Sequence, residues 1–340
     1  MANIKFKNAL ERKEQSVPPV WMMRQAGRYH PPYQAKRKNY SFIELCKKPE
    51  LAAQVALDPI EDFDFDVSIL FSDLLFPLEA LGMGLDYNPA PQLGWHLQEM
   101  GDFKKFQSLD KAIEGLQFQK EALEATRKVL PEDKSLIGFV GSPWTLFVYA
   151  VAGTHKGNLK DVKSKMDLFP GFCEIMGELL DRNIQLQLDG GAEVVMVFDT
   201  AAGELSASAF GKYIRPYLIN LSKKYSGKLG YYSKVTGPDH LDLLWSESEF
   251  AGFGYDHRWD LTKCFNKASG FVQGNFDQSL LFLKENEFEK EIREYFSVFQ
   301  KMSLKERAGW VCGLGHGVLP ETPNQNVRKF VEVAREVLQS

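Results

Sequence analysis

The sequence predicts an α/β protein, a single (β/α)8 TIM barrel formed as one domain by residues 1–340. Eight short apolar or aromatic runs alternate with longer amphipathic stretches, which is the order of strands and helices in such a barrel. Some runs, such as VVMVFD, are apolar almost throughout, and strands of that kind are buried on both faces, as in parallel sheets. No Pro/Ser-rich linker divides the chain, and no internal repeat is visible. A doubly wound open sheet is the alternative that the same alternation allows.

The predicted strands share β-branched or aromatic residues and short length. They lie near residues 19–23, 67–72, 136–141, 194–199, 229–234, 250–255, 271–275 and 310–315. Amphipathic spacing predicts helices over residues 112–130 and 326–338 in particular. In a barrel, the residues that follow the strands collect on one face, where such enzymes carry out their chemistry. The active-site cleft is therefore expected at the C-terminal ends of the strands.

Composition and charge restrict the class of protein and of partner. Apolar residues make up 44% and charged residues 25%, which argues against a disordered or fibrous chain. The net charge of −4 provides no general field for nucleic acid, so no nucleic-acid partner is expected and any bound anion needs local cations. The four cysteines contain no C-x-x-C pair, which indicates free thiols, no zinc site and a cytoplasmic location.

One stretch, residues 135–155, carries no formally charged side chain and is long enough to suggest a membrane span. Gly138, Gly141, Pro143 and Gly153 interrupt it, so a strand, a turn and a buried helix are predicted instead. The N-terminal segment has cations but no apolar core of the kind a signal peptide needs. No membrane partner is expected.

Charged residues follow the first two predicted strands. Arg24 and Arg28 flank Gly27 in RQAGRY, and guanidinium groups can bind carboxylates or phosphates through two hydrogen bonds. Surface arginines in solvent or in ion pairs are the alternative. Asp73 lies between two apolar stretches, where a buried carboxylate needs a cation or several N–H donors. Its alternative role is an N-cap for the following helix.

Further polar residues follow later strands. Tyr149 could equally be a core aromatic, and Asp199 and Thr200 could form a turn with an N-cap. His316, between glycines, is a candidate proton donor or hydrogen-bond partner, although a plain loop histidine or a phosphate-binding loop fits the same residues. No Walker motif, zinc-binding histidine spacing or G-x-S-x-G motif is present. The set is typical of a site for a polyanion that also offers N–H groups.

The segments PVWMMRQAGRY, ILFSD, GSPWTLFVY, VQGNFD and GHGVLPETP occur in this order, from about residue 8 to about residue 337. With them the chain resembles the uroporphyrinogen decarboxylase family, and RQAGRY and GHG-x-LPETP are the specific segments. The resemblance implies a homodimeric (β/α)8 barrel that uses no cofactor and no metal. It also implies a small-molecule tetrapyrrole substrate, uroporphyrinogen III, whose four acetate groups are decarboxylated to give coproporphyrinogen III.

Carried over by motif, the resemblance assigns substrate contact to one set of residues and catalysis to part of it. The substrate-binding set is Arg24, Gln25, Ala26, Gly27, Arg28, Asp73, Phe139, Tyr149, Phe198, Thr200 and His316. The catalytic residues are Asp73, Arg24, Tyr149 and His316, with Asp73 as the central carboxylate. A protonated pyrrole serves as the electron sink that a cofactor supplies elsewhere, and a carboxylate facing its N–H groups stabilises the positive charge. Whether His316, Tyr149 or water held by Arg24 delivers the proton stays open.

The sequence departs from the family pattern in places, and rival functions share parts of it. Residues 30–33 read HPPY where the family often has LPEY, Thr200 stands where relatives have Ser, and GYDHRWD replaces a GLDW-like segment. A corrinoid-dependent methyltransferase shares the barrel, but YYSKVTG lacks the His and Cys that would bind its zinc. Two more rival functions are a haem or tetrapyrrole carrier with His316 as axial ligand and a phosphate-handling enzyme built on residues 313–317.

Overall fold

Parallel strands form the centre of the protein, whose computed structural model describes residues 2–87, 90–155, 157–267 and 269–339. The strands are β1 Val67–Ile69, β2 Asp86–Tyr87, β3 Pro91–Gln92, β4 Ser135–Gly141, β5 Val195–Asp199, β6 Leu229–Ser233, β7 Gly252–Gly254, β8 Phe271–Phe276 and β9 Trp310–Leu314. One sheet has the order β1-β4-β5-β6-β7-β8-β9, and each neighbouring pair is parallel. β2 and β3 form a separate antiparallel ribbon. Seven of the eight predicted strands are thus confirmed.

The first predicted strand, residues 19–23, is reduced to a single parallel bridge between Val20 and Cys312. Trp21 N–H donates to the Cys312 carbonyl at 3.0 Å, and on the other side Asp66 N–H donates to the Val20 carbonyl at 3.0 Å. Pro19 has no N–H, and the Val20 N–H donates to the Asp66 carboxylate at 2.8 Å instead of to a neighbouring strand. The described residues therefore form a curled sheet of seven strands where eight were predicted.

The curl of the sheet follows from the two apolar layers that cover its faces. The inner layer contains side chains from the segment before β1, from the strands and from residues next to the strands. They are Trp21, Met23, Val67, Ile137, Val194, Met196, Phe198, Tyr232, Ala251, Phe271 and Val311. A second, larger cluster joins the outer faces of the strands to the helices. Because every part of the sheet contributes to one inner cluster, the strands bend around it, and this burial is the main stabilising contribution.

Helices surround the sheet. In the described part of the chain they are α1 Ile4–Leu10, α2 Pro31–Arg37, α3 Phe42–Lys47, α4 Pro49–Phe63, α5 Phe76–Leu78, α6 Leu109–Glu114, α7 Gln117–Val129, α8 Pro143–Ala152, α9 Lys160–Lys163, α10 Phe169–Asp189, α11 Ala207–Tyr213, α12 Arg215–Lys224, α13 Pro238–Glu247, α14 Leu261–Cys264, α15 Glu285–Gln300 and α16 Asn324–Gln339. Short 3-10 or π turns add Glu79–Met83, Met100–Lys105, Ala202–Glu204 and Gln278–Phe282. The predicted helix over residues 112–130 is divided between α6 and α7, whereas the C-terminal prediction is confirmed as α16.

The uncharged stretch over residues 135–155 forms β4, a turn and α8, as predicted. Pro143 lies at the first turn of α8, and Gly153 ends the helix in a left-handed conformation. Among the described residues, no helix is both long and apolar enough to span a bilayer.

The N-terminal helix α1 covers the amino-terminal end of the strands. Asn3 N–H donates to the Ser135 hydroxyl at 3.0 Å, and the Lys5 ammonium lies 3.0 Å from the Asp66 carboxylate. Phe6 adds its ring to the inner apolar layer, 6.4 Å from the ring of Phe271. With one end of the sheet closed in this way, a ligand can approach the inner layer from the carboxyl ends of the strands.

Gly313 on β9 allows the close approach of the segment around Trp21. A Cβ atom at this position would clash with the Trp21 carbonyl oxygen. That backbone is held by its hydrogen bond to Cys312, so we expect Gly313→Ala to lower the free energy of unfolding by about 1–3 kcal/mol. Urea unfolding followed by circular dichroism measures this loss.

The matched control is Gly237→Ala, because a Cβ there meets no atom within 4 Å and φ is −122°. We expect this control to lose only about 0.5–1 kcal/mol, because Gly237 is the N-cap residue of α13 and alanine is a poorer N-cap than glycine. Equal stabilities for the two variants would contradict the close approach at Gly313.

Candidate active site

Aromatic side chains line the carboxyl ends of β4, β5 and β6. The ring of Phe139 lies 5.6 Å from that of Phe198, which lies 6.0 Å from Tyr232. Tyr232 in turn packs edge-on against His316, with 6.3 Å between ring centroids. Parallel pairing explains the row, because Phe198 and Tyr232 are register partners on neighbouring strands. The structure thus connects three predicted site residues through Tyr232, which the sequence analysis missed.

Arg24 lies at the centre of the predicted catalytic residues. Its positive charge lowers the pKa values of Asp73, Tyr149 and His316, so all three lie within its electrostatic reach. The side chain is exposed, and within the described part of the chain it forms no ion pair. Its backbone has φ of 58°, a left-handed conformation that is rare for a residue with a side chain. Such a conformation at a charged, unpaired residue is typical of a functional position.

Gly317 makes room for the Arg24 side chain. A Cβ atom on Gly317 would lie 2.5 Å from Cδ and 2.7 Å from Cγ of Arg24. The glycine beside His316 therefore serves close packing against the arginine. This explains part of the glycine pattern at residues 313–317 without a bound phosphate.

Asp73 follows β1 and lies in a buried environment. Burial raises the pKa of its carboxyl group, whereas the Leu75 N–H, the Tyr87 hydroxyl and the charge of Arg24 lower it. The Leu75 N–H donates to Oδ1 at 2.9 Å. This bond does not make Asp73 an N-cap residue, because α5 begins at Phe76 and its N-cap residue is Leu75. The carboxylate instead closes a local turn and faces the charge of Arg24.

Tyr149 and His316 both remain neutral near pH 7. Burial raises the pKa of Tyr149 to about 12, with a contribution from the charge of Asp73. Burial also lowers the pKa of His316 to about 3, and the charges of Arg24 and Lys234 add to the effect. Neither group is therefore an acid matched to neutral pH in the unliganded protein.

The RQAGRY loop combines buried and exposed residues. Gln25 is buried, and its side-chain amide donates to the Val67 carbonyl at 3.1 Å, which ties the loop to β1. Ala26 and Gly27 are half-buried and Arg28 is exposed. Among the described residues, the N–H groups of residues 26–28 have no acceptor, so three donors and two guanidinium groups are available to an anion.

Two further predicted site residues are Arg28 and Thr200. The charge of Arg28 acts on Tyr33 of α2. Thr200 is half-buried directly after β5. Their contact with substrate stays a prediction.

Asp199 is fully buried at the end of β5. Its carboxylate accepts hydrogen bonds from the Thr145 hydroxyl at 2.7 Å and from the Tyr231 hydroxyl at 3.0 Å. The Thr145 oxygen also accepts the Ala201 N–H at 3.2 Å. Because Thr145 is one helical turn before Tyr149 on α8, Asp199 fixes the helix that carries Tyr149 to the end of β5.

We expect Asp199 to make the folding stability dependent on pH between about 4 and 6. Burial raises its pKa from 3.8 to about 6 in the folded protein, so the folded state binds more protons than the unfolded state in this range. The free energy of unfolding should therefore fall as pH rises from 4 to 6, by on the order of 3 kcal/mol from this group.

The measurement is urea unfolding at pH 4 to 8 for the wild type and for Asp199→Asn. The difference between the two free energies should decline up to pH 6 and stay constant above it. Parallel curves over the whole range would show that Asp199 titrates normally.

Several residues that contact or act on the predicted site residues escaped the sequence analysis or were left unassigned. Tyr87, whose hydroxyl acts on Asp73, comes from the β2–β3 ribbon, which no periodicity predicted. Lys234 follows β6 directly, and its charge reaches His316. His155 lies 2.6 Å from the Tyr149 hydroxyl. The position of Lys234 after the fifth predicted strand points to it, although no role was assigned; no sequence signal points to Tyr87 or His155.

Proteins of one family match this chain over nearly its whole length. The family model described as "Uroporphyrinogen decarboxylase (URO-D)" matches residues 1–337. A uroporphyrinogen decarboxylase from Geotalea daltonii is 33% identical over 99% of this chain and 99% of its own length. One from Helicobacter pylori is 36% identical over 96% of this chain and 97% of its own length.

Solved structures show the same fold at lower identity. A methyltransferase from Methanosarcina mazei superimposes with a TM-score of 0.73 at 19% identity, over 98% of this chain and 97% of that chain. A B12-independent methionine synthase from Shewanella has a TM-score of 0.57 at 9% identity, over 96% and 95% of the two chains. These likenesses concern the fold, whereas the sequence matches extend over the site residues as well. The chain belongs to the uroporphyrinogen decarboxylase family.

Proposed function

We propose that the protein decarboxylates the four acetate side chains of uroporphyrinogen III to methyl groups, giving coproporphyrinogen III and four molecules of CO2, without a cofactor or a metal. The observation that carries this proposal is the meeting of Arg24, Asp73, Tyr149 and His316 at the carboxyl ends of the strands. This set offers positive charge to substrate carboxylates and negative charge to pyrrole N–H groups. Full-length relatives with this activity in their names support the same conclusion.

The chemistry requires a proton at the pyrrole carbon next to the one that bears the acetate. Protonation makes the ring cationic, and the electron pair of the breaking C–C bond then moves into the ring as CO2 leaves. A second proton adds to the exocyclic carbon to form the methyl group, and the first proton leaves the ring. Each CO2 thus consumes one proton. Asp73 stabilises the cationic ring through its N–H groups, which is preorganised electrostatic catalysis.

Arg24 and Arg28, together with the unpaired N–H groups of residues 26–28, would hold the carboxylates of the substrate. For the proton donor, we favour water held by Arg24. Tyr149, with a pKa of about 12, and His316, with a pKa of about 3, are poorly matched to neutral pH. The aromatic row of Phe139, Phe198 and Tyr232 would exclude bulk water from the pyrrole faces.

We further propose a closed, eight-stranded (β/α)8 barrel as a single domain over residues 1–340, acting as a homodimer in the cytoplasm. The hydrogen bonds that join Val20 to β9 on one side and to Asp66 on the other support the closure. Four free cysteines, three of them buried, support a reducing compartment. Light scattering in solution would test the dimer.

The test of the function is an anaerobic turnover assay with uroporphyrinogen III and metal-free protein. We expect products with seven, six, five and four carboxylates, separated by chromatography. Coproporphyrinogen III, which has no acetate groups, is the matched control and should release no CO2. No product from the metal-free protein, with zinc bound in the protein as isolated, would overturn the proposal in favour of a methyltransferase.

A further inference from the structure

The loop after α8 brings His155 next to the hydroxyl group of Tyr149. Gly153 ends the helix with φ of 68°, and this left-handed cap reverses the chain. Two residues later, Nδ1 of His155 lies 2.6 Å from the Tyr149 hydroxyl oxygen, and the rings meet edge-on with 5.4 Å between centroids. Residues six positions apart do not face each other on a helix, so the cap creates this contact.

Tyr149 and His155 interact electrostatically with the other predicted site residues. The charges of Asp73 and Arg24 both act on the Tyr149 hydroxyl. A positive charge on His155 lowers the pKa of His316, which places the imidazole within reach of the second histidine as well. His155 is therefore at the site, although no sequence motif points to it.

We propose that His155 is a positioning residue, which accepts the Tyr149 hydroxyl proton at Nδ1 and thereby turns the phenol oxygen toward Arg24 and the substrate. A phenol is a stronger acid than the N–H of neutral imidazole, so donation from Tyr149 to Nδ1 is the favoured direction of this bond. The lone pairs of the phenol oxygen can then accept from a guanidinium or from a pyrrole N–H. In this arrangement, Tyr149 complements Asp73 as an acceptor and does not serve as the acid. The substrate part of the inference rests on the proposed function, whereas the hydrogen bond does not.

The direction of the hydrogen bond fixes the tautomer of His155, and nitrogen NMR of the histidine rings measures it. An accepting Nδ1 requires the hydrogen on Nε2. His240 is an internal reference, since its Nδ1 accepts from the Gly237 N–H at 3.3 Å and its Nε2 lies 3.0 Å from the Leu205 carbonyl. We expect His155 to show the same Nε2–H pattern in the wild type, and its Nδ1 resonance to shift in Tyr149→Phe, which lacks the donor of this hydrogen bond.

An Nδ1–H pattern for His155, or an Nδ1 resonance unchanged in Tyr149→Phe, would overturn the proposal. This experiment needs no turnover, so its outcome is separate from that of the decarboxylase assay.

The kinetic test compares three replacements of His155. His155→Phe removes the acceptor, and we expect kcat/KM to fall about tenfold, as for the loss of one hydrogen bond. His155→Asn places an amide oxygen near the position of Nδ1 and should restore most of the activity, whereas His155→Gln, which extends toward Nε2, should not. In the Tyr149→Phe background, His155→Phe should have no further effect. Equal losses for the Asn and Phe variants, or additive losses in the double variant, would contradict a role through Tyr149.

Discussion

Replacing Asp73 by Asn should lower kcat about 100- to 1,000-fold while the protein remains folded. The amide keeps an oxygen for the Leu75 N–H, so the local turn after β1 persists. It lacks the negative charge that would stabilise a cationic pyrrole, and its NH2 group opposes the pyrrole N–H donors. Burial raises the pKa of Asp73, so the neutral replacement also removes the cost of a buried charge, and the stability should not fall.

The measurement is the rate of the first decarboxylation with enzyme in excess, beside thermal unfolding of the same samples. Asp110→Asn is the matched control, because Asp110 is exposed and paired with Arg182 on the outer helices. We expect this control to retain full activity. If Asp73→Asn were equally active, the protein would still be a decarboxylase, but the charge of Asp73 would have no part in its mechanism.

Arg24→Met and Arg28→Met should have different effects, although both remove an exposed guanidinium from the same loop. The charge of Arg24 acts on Asp73, Tyr149 and His316, so its loss should lower kcat/KM by roughly 100-fold through both kcat and KM. The charge of Arg28 acts on Tyr33, outside this group, so we expect a rise in KM of about tenfold with kcat unchanged. Arg24→Lys should recover part of the loss, since it restores the charge without the bidentate geometry.

A second readout checks the same prediction without substrate. Because the charge of Arg24 lowers the pKa of His316, Arg24→Met should raise that pKa, and Arg28→Met should leave it unchanged. Titration of the His316 ring by NMR measures both. Identical titration curves in the two variants would show that Arg24 does not lie near His316 in solution.

The strands could be predicted because a strand that is buried on both faces consists of consecutive apolar residues. VVMVFD and LIGFVG contain too many apolar residues in succession for any exposed element, and they became β5 and β4 within one residue at each end. The prediction of a full strand over residues 19–23 was wrong, because a strand is defined by its hydrogen bonds to a neighbouring strand and not by apolar side chains. Pro19 lacks a donor, and the Asp66 carboxylate, distant in sequence, takes the Val20 N–H.

Part of the site could be predicted, because several of its residues follow the ends of predicted strands. Asp73, Tyr149 and His316 are far apart in the chain, but strand ends of a parallel sheet share one edge, so their convergence around Arg24 follows from the fold class. Tyr87 could not be foreseen, since it reaches Asp73 from a two-residue strand in the β2–β3 ribbon. His155 depends on a reversal of the chain at Gly153 and on no periodic pattern.

The sequence by itself was therefore sufficient for the parallel strands, because apolar runs are a local property of the chain. The anion-binding role of RQAGRY and the catalytic role of Asp73 stay predictions. The protonation states of the site depended on the folded protein. Burial and the charges of Arg24 and Lys234 lower the pKa of His316, and the removal of Asp199 from water raises its pKa to about 6. Burial and the distance between charges arise from contacts between residues far apart in sequence, and these determine which groups donate, accept or carry charge at the site.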